Sequence, residues 1–184
     1  MEYYIDIKLL PDAEMRLNVL LDKVYTKFHK ALFDLKATDL GVSFPEVKVL
    51  LGSKIRIHGS AEKLNELMNI QWIGGLIGYC QCTEILEIPS DVKYRNISRW
   101  QSNMSESHLR RLKKRGTIKD DEVKAYKAKM FAAQMTTLPY VELDSVSNGK
   151  HHRRYIETGD IQDSSTSGNF DFFGLSKTAT IPWF

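Results

Sequence analysis

Over its first ninety residues the chain alternates and repeats apolar positions in an order that predicts six elements. Tyr3 to Leu9 alternates as a strand, and Leu17, Leu20, Leu21, Val24, Phe28, Ala31, Leu32 and Leu35 then recur at helical spacing. A short apolar run, Val42 to Phe44, is closed by Pro45, and Lys54 to His58 reads as a strand. Ser60 caps a helix carrying Ala61, Leu64, Leu67 and Met68, and Cys82 to Ile88 reads as a last strand before Pro89. The order β-α-β-β-α-β is that of a ferredoxin-like unit, so the expected class is α+β. RNA-recognition modules share this plan, but Lys54-Ile55-Arg56-Ile57-His58 lacks their aromatic stacking signature. The sheet itself therefore need not bind bases.

Composition changes after Pro89, which places a boundary near Ser90 to Lys93: residues 1–91 as the ferredoxin-like domain, residues 92–184 as a smaller, irregular α+β domain. Between Lys93 and Arg115 lie Lys93, Arg95, Arg99, Arg110, Arg111, Lys113, Lys114 and Arg115, against the single acid Glu106. The second half of this segment reads as a short helix with Ser105 as its N-cap, Glu106 in its first turn and Gly116 as the left-handed residue after its end. Leu109 and Leu112 give it a narrow apolar stripe. Arg111, Lys114 and Arg115 share one face, flanked by Arg110 and Lys113, so most of the circumference is cationic. Such a helix suits a groove walled by phosphates, where each neutralised phosphate releases counterions. A second helix is expected from Asp120, with Val123, Tyr126, Met130 and Phe131 along one side. Strand-like runs follow at Tyr140 to Leu143, His151 to Glu157 and Phe170 to Phe173, the last preceded by a Ser/Thr/Gly loop at Ser164 to Asn169. The terminal Ile181-Pro182-Trp183-Phe184 reads as a tail that docks aromatic rings into the core.

The 184 residues are 42% hydrophobic, enough for packed cores, and the net charge is only +3, so the basic character is local. The N-terminus has neither a basic leader nor a long apolar run, so no secretory signal or membrane span is expected. Cys80 and Cys82 sit too close together for an ordinary disulfide and have no nearby His or second Cys pair to complete a zinc site. The expectation is a reducing cytoplasm, two strand thiols, no metal site and no cofactor.

Several strings in one order carry a resemblance. Gly41-Val42-Ser43-Phe44-Pro45, His29 in the first helix, Ser98-Arg99-x-Gln101, the Arg/Lys helix, Ser145-x-Ser147-x-Gly149, Gly174-Leu175-Ser176-Lys177 and Pro182-Trp183-Phe184 together resemble the hairpin-cutting CRISPR RNA endoribonucleases of subtype I-F systems, from end to end of the chain. The resemblance implies cleavage of precursor CRISPR RNA once per repeat, at the base of the repeat stem-loop and without metal. A 2'-hydroxyl attacks the neighbouring phosphate, leaving a 2',3'-cyclic phosphate and a 5'-hydroxyl, and the enzyme stays on the hairpin as part of a multiprotein RNA-guided complex. His29 matches the catalytic histidine, a residue type whose unperturbed pKa of about 6.5 suits it to act as general base. Ser145 matches the serine that holds the attacking hydroxyl, with Ser147 secondary; on composition alone the same stretch is a turn. Arg99 and Gln101 match the pair that reads base pairs in the lower stem. Arg111 and Arg115 match arginines that contact phosphate in the stem's major groove.

The chain also departs from the pattern. Lys113 and Lys114 keep charge but lose the bidentate fork of arginine, and Gly116 stands where another arginine is expected. His152 replaces the aromatic ring that stacks on the terminal base pair. Phe173 falls where the best-known pattern has a tyrosine near the active-site histidine. If that tyrosine mainly packs, cleavage continues; if its hydroxyl orients the base, cleavage slows. Two readings therefore stand side by side: a metal-independent endoribonuclease, or a non-catalytic RNA hairpin-binding subunit. A basic helix that binds DNA is a third. Ser145, water or a second proton from histidine are all open as the source of the leaving group's proton.

Overall fold

The computed structural model describes residues 1–102, 104–134, 136–144 and 151–184. Strand β1 (Tyr3–Leu9) buries Ile5, Ile7 and Leu9 on one face, as its alternation predicts. Helix α1 (Leu17–Leu35) turns Leu20, Leu21, Val24, Phe28, Ala31 and Leu32 into the core at i, i+3 and i+4 spacings. It ends where Lys36 adopts a left-handed backbone and its N–H returns to the carbonyls of the last turn. Strands β2 (Gly41–Ser43) and β3 (Lys54–Gly59) follow, then helix α2 (Ala61–Asn69), whose cap Ser60 accepts from the Lys63 N–H at 3.2 Å. A 3-10 helix, Gly74–Tyr79, that the pattern did not predict leads into β4 (Cys80–Cys82) and β5 (Leu86–Glu87).

These strands form one antiparallel sheet in the order β2-β3-β1-β4, with β5 also paired to β1. Ile5 faces Ile57 across the central pair. The single strand expected from Cys82 to Ile88 is two short ones. Opposite Asp6, the Thr83 side chain accepts the Asp6 N–H at 3.0 Å in place of a backbone carbonyl, while the Thr83 N–H donates to the Asp6 carbonyl. A side chain that substitutes for the ladder interrupts it.

Asp6 and Arg56 form a cross-strand ion pair in this sheet. The guanidinium donates to both carboxylate oxygens, at 2.6 and 2.9 Å, and to the Phe184 carbonyl at 2.9 Å. Burial raises the Asp6 pKa, but Arg56 and Lys54 outweigh it and hold the group below the ordinary carboxylate value. A lowered folded-state pKa contributes stability above the unfolded value of about 3.9, and that stability is lost as pH falls through the folded value. Asp6→Asn is expected to lose about 1.5–3 kcal/mol at neutral pH and to flatten the acid limb of the stability curve. Urea unfolding across a pH series checks this, and an acid limb identical to that of the wild type would refute it.

The rest of the chain adds β6 (Lys93–Arg95), β7 (Ile97–Trp100), helices α3 (Glu106–Lys114) and α4 (Glu122–Gln134), and strands β8 (Tyr140–Asp144), β9 (His151–Thr158) and β10 (Ile181–Trp183). β10 pairs with β6, and β7, β9 and β8 form a three-stranded sheet in that order. All strand pairs with a stated register are antiparallel, and the class is α+β. Ile97, Val141, Leu143, Ile156, Phe170, Leu175, Ala179 and Ile181 join the same core as Ile5 and Phe28. One compact unit therefore comprises residues 1–99 and 139–184, and residues 100–138 form a second. The units divide elsewhere than at the change in composition near residues 90–93, because the late strands bury apolar side chains in the first core.

Phe170 to Phe173, expected as a strand, is not one. The Asp171 carboxylate accepts from the N–H groups of Phe173 at 2.9 Å and Leu175 at 3.0 Å, and Gly174 has φ of +71°, so the segment closes into a turn. In the second unit α4 begins at Glu122 rather than Asp120: the Glu122 carboxylate reaches back to accept from the Lys119 N–H at 2.9 Å. No helix among the described residues is long and apolar enough to cross a membrane.

Candidate active site

His29 lies on α1, one residue past the buried Phe28, so its ring emerges half-buried at the edge of the core stripe. Its Nδ1 lies 2.8 Å from the Phe172 carbonyl oxygen. A carbonyl only accepts, so in the neutral ring the proton sits on Nδ1 and the Nε2 lone pair is left to accept another. The imidazole also stacks on the Phe173 ring, with centroids 3.6 Å apart and planes 8° from parallel.

The turn that supplies both contacts is held from several sides. The Tyr25 hydroxyl donates to the Phe173 carbonyl at 2.8 Å, and burial pushes its pKa up, so it remains a donor. The Asp171 carboxylate binds the turn's N–H groups, and the Gly174 carbonyl accepts from the Val42 N–H at 2.9 Å. A Cβ on Gly174 would stand 3.1 Å from Phe28 and Val42, so a side chain at this closely packed, left-handed position would be strained. The Gly-Val-Ser-Phe-Pro and Gly-Leu-Ser-Lys strings are thus adjacent through that hydrogen bond.

Arg154 of β9 is buried, with its guanidinium carbon 3.4 Å from the Phe173 ring centroid. One of its terminal nitrogens stands 3.9 Å from the Asp171 carboxylate. Burial lowers its pKa, and the nearby charge of Arg99 lowers it further.

The sequence-predicted residues divide into four groups. His29 and Phe173 are in direct contact. Arg99 is half-buried on β7, and His152 is exposed on β9, two residues before Arg154 and so on the same face of the strand. Ser145 and Ser147 lie outside the described residues. In the second unit, Gln101, Arg110, Arg111, Lys113, Lys114 and Arg115 are all exposed. Ser105 caps α3 by accepting from the His108 N–H at 3.1 Å. At its other end the Gly116 N–H bonds to the Lys113 carbonyl and the Thr117 N–H to the Leu112 carbonyl, the paired bonds of a Schellman ending. Among the described residues the cations of α3 meet few acids: Lys113 pairs with Asp120 at 3.1 Å, on the surface.

Sequence reasoning missed the Phe172 carbonyl, Tyr25, Asp171 and Arg154. Asp171 carried a signal, an acid three residues before glycine, as turns favour. Arg154 carried another: it occupies the inward register of a strand whose next inward residue is the buried Ile156. Of the thiols, burial pushes Cys80 up to about 11, so it packs rather than reacts. No cluster of three or more metal-binding side chains occurs among the described residues.

Comparison with known proteins agrees along the whole chain. Residues 4–184 match the sequence model of the family described as CRISPR-associated protein (Cas_Csy4). The chain is 36% identical over 185 residues to the CRISPR-associated endonuclease Cas6/Csy4 of Escherichia coli (strain UTI89 / UPEC), with all of both chains covered. It is 35% identical over 188 residues to the protein of the same name from Pseudomonas aeruginosa (strain UCBPP-PA14), again with both chains fully covered. The chain belongs to the Csy4 family of CRISPR-associated proteins.

Proposed function

We propose that the protein is the CRISPR RNA maturation endoribonuclease of its system: it cleaves precursor CRISPR RNA at the 3' base of the repeat stem-loop without metal and remains on the hairpin. The observation that carries this reading is the environment of His29. A base must keep one nitrogen free and pointed, and here Nδ1 is engaged by the Phe172 carbonyl while Nε2 is left as acceptor. His29 Nε2 takes the proton of the 2'-hydroxyl, the 2'-oxygen attacks phosphorus, and the bond to the 5'-oxygen breaks. The products are a 2',3'-cyclic phosphate and a 5'-oxygen that leaves with a proton from Ser145, water or His29. Ser145 holds the ribose hydroxyl and Ser147 assists. Arg99 and Gln101 read lower-stem pairs, His152 stacks on the terminal pair, and Arg110, Arg111, Lys113, Lys114 and Arg115 engage the stem phosphates.

Phe173 has no hydroxyl with which to orient the base, which favours a non-catalytic hairpin-binding subunit as the second reading. The Phe172 carbonyl answers that objection, since it orients the ring through a backbone group that no substitution at position 173 removes. Within the same proposal, the sheet order β2-β3-β1-β4 with antiparallel neighbours supports a ferredoxin-like unit. Cytoplasmic location and membership of a multiprotein CRISPR complex complete it.

The test uses an RNA hairpin bearing the CRISPR repeat of the protein's own locus, in excess chelator. Wild type is expected to leave a cyclic phosphate and a 5'-hydroxyl, and to bind but not cut the same RNA with a single 2'-deoxy nucleotide at the cleavage site. Cleavage that stops in chelator, or products with 3'-hydroxyl and 5'-phosphate ends, would exclude this chemistry.

A further inference from the structure

Phe173 has two faces, and both are occupied. The imidazole of His29 lies 3.6 Å from its centroid and the guanidinium carbon of Arg154 lies 3.4 Å from it. Two groups at van der Waals distance from one ring centre cannot share a face without overlapping, so they lie on opposite sides. The result is a three-layer stack of base, phenyl ring and cation. Both the ring and the Phe172 carbonyl that engages His29 belong to the turn closed by Asp171, and Arg154 also faces the Asp171 carboxylate.

This placement of Arg154 is costly. The residue is only 6% exposed, its Nε is buried with no hydrogen-bond partner among the described residues, and its ion pair with Asp171 is long at 3.9 Å. Leucine would fill an inward position of β9 without the desolvation penalty. What the guanidinium contributes instead is a flat, charged surface against the negative face of a phenyl ring, an attraction that strengthens when water is excluded. Its position behind Phe173 also keeps it from the open side of His29, so it does not serve as a direct ligand of the reacting phosphate.

We infer that Arg154 is a positioning residue for cleavage: it presses the Phe173 ring against His29 from behind and holds the imidazole at the angle from which Nε2 receives the 2'-proton. The inference rests on His29 being the base.

The test is a double-mutant cycle in the full-length protein, read as single-turnover cleavage of the same repeat hairpin at saturating protein, with hairpin affinity and thermal midpoint measured in parallel. Arg154→Leu is expected to slow cleavage about tenfold or more, the rate equivalent of a desolvated cation–π interaction, with affinity changed less than about twofold. Arg154→Lys, which keeps charge but not the flat fork, is expected to recover part of the rate. In a Phe173→Leu background, Arg154→Leu is expected to cost less than about twofold, because the ring through which it acts is already gone. Arg154→Leu cleaving within about twofold of wild type, or rate reductions that multiply independently in the double variant, would overturn the inference. If Arg154→Leu does not fold, the same cycle run with Arg154→Lys is judged by the same criterion: the rate reduction must vanish when Phe173 is leucine. His29→Ala separates the two levels. If it cuts as wild type does, the assignment of the base has failed; if it is inactive while Arg154→Leu is unaffected, only the positioning role has.

Discussion

His29→Ala is expected to slow single-turnover cleavage of a repeat hairpin by about 10² to 10⁴-fold, the range that general acid–base catalysis supplies, while leaving hairpin affinity within about twofold. The asymmetry follows from where His29 sits. It contacts the protein through Phe172 and Phe173, in the first compact unit, whereas the concentrated positive charge belongs to α3 in the second. Removing the imidazole deletes a proton acceptor and none of the phosphate-neutralising charge. Because the ring is half-buried, the protein is expected to stay folded, and added imidazole is expected to restore part of the rate by occupying the vacated space. A His29→Ala protein that cleaves within about threefold of wild type would exclude His29 as the base. Wild type that binds tightly, does not cleave, and gains cleavage on Phe173→Tyr would establish the hairpin-binding subunit instead.

Replacing Arg110, Arg111, Lys113, Lys114 and Arg115 together by glutamine is expected to weaken hairpin binding about 10² to 10³-fold near physiological salt, and to reduce the slope of log K against log salt by about 0.7–0.9 for each phosphate that is no longer neutralised. All five side chains are exposed, so none contributes packing, and glutamine is a good helix former. The caps that delimit α3, Ser105 and Gly116, are untouched. The surface ion pair of Lys113 with Asp120, which is removed, is worth little in water. Circular dichroism unchanged from wild type would confirm that the helix survives. An unchanged salt slope in such a folded variant would show that α3 faces solvent and that the stem is gripped elsewhere.

The two predictions differ in how much of their basis was visible before the fold was known. The basic helix could be read almost completely: Ser105 as N-cap, the left-handed Gly116, and cations around most of the circumference all occur as expected. Capping and helical spacing act within a few residues, so neighbouring side chains suffice to specify them. The candidate active site was visible only in part. His29 and Phe173 were singled out by their likeness to a known pattern, but nothing local relates residues so far apart. The Phe170 to Phe173 run was misread as a strand because apolar alternation does not register an aspartate that binds two N–H groups ahead of it. The interruption at Thr83 has the same origin, a side chain in the place of a ladder carbonyl.

The order of the first strands and helices, the two ends of α3 and the location of the charge were thus determined by the sequence through short-range physics: periods of two and 3.6, capping, and the exclusion of charge from cores. Tertiary structure alone decided how His29 is oriented. Its Nδ1 is bound by a carbonyl 143 residues away, and its ring is backed by Phe173 and, beyond that, Arg154. A backbone carbonyl is the same group at every position in the chain, so no residue type announces which one will be brought to a histidine. Only the closing of the Asp171–Leu175 turn against α1 selects it.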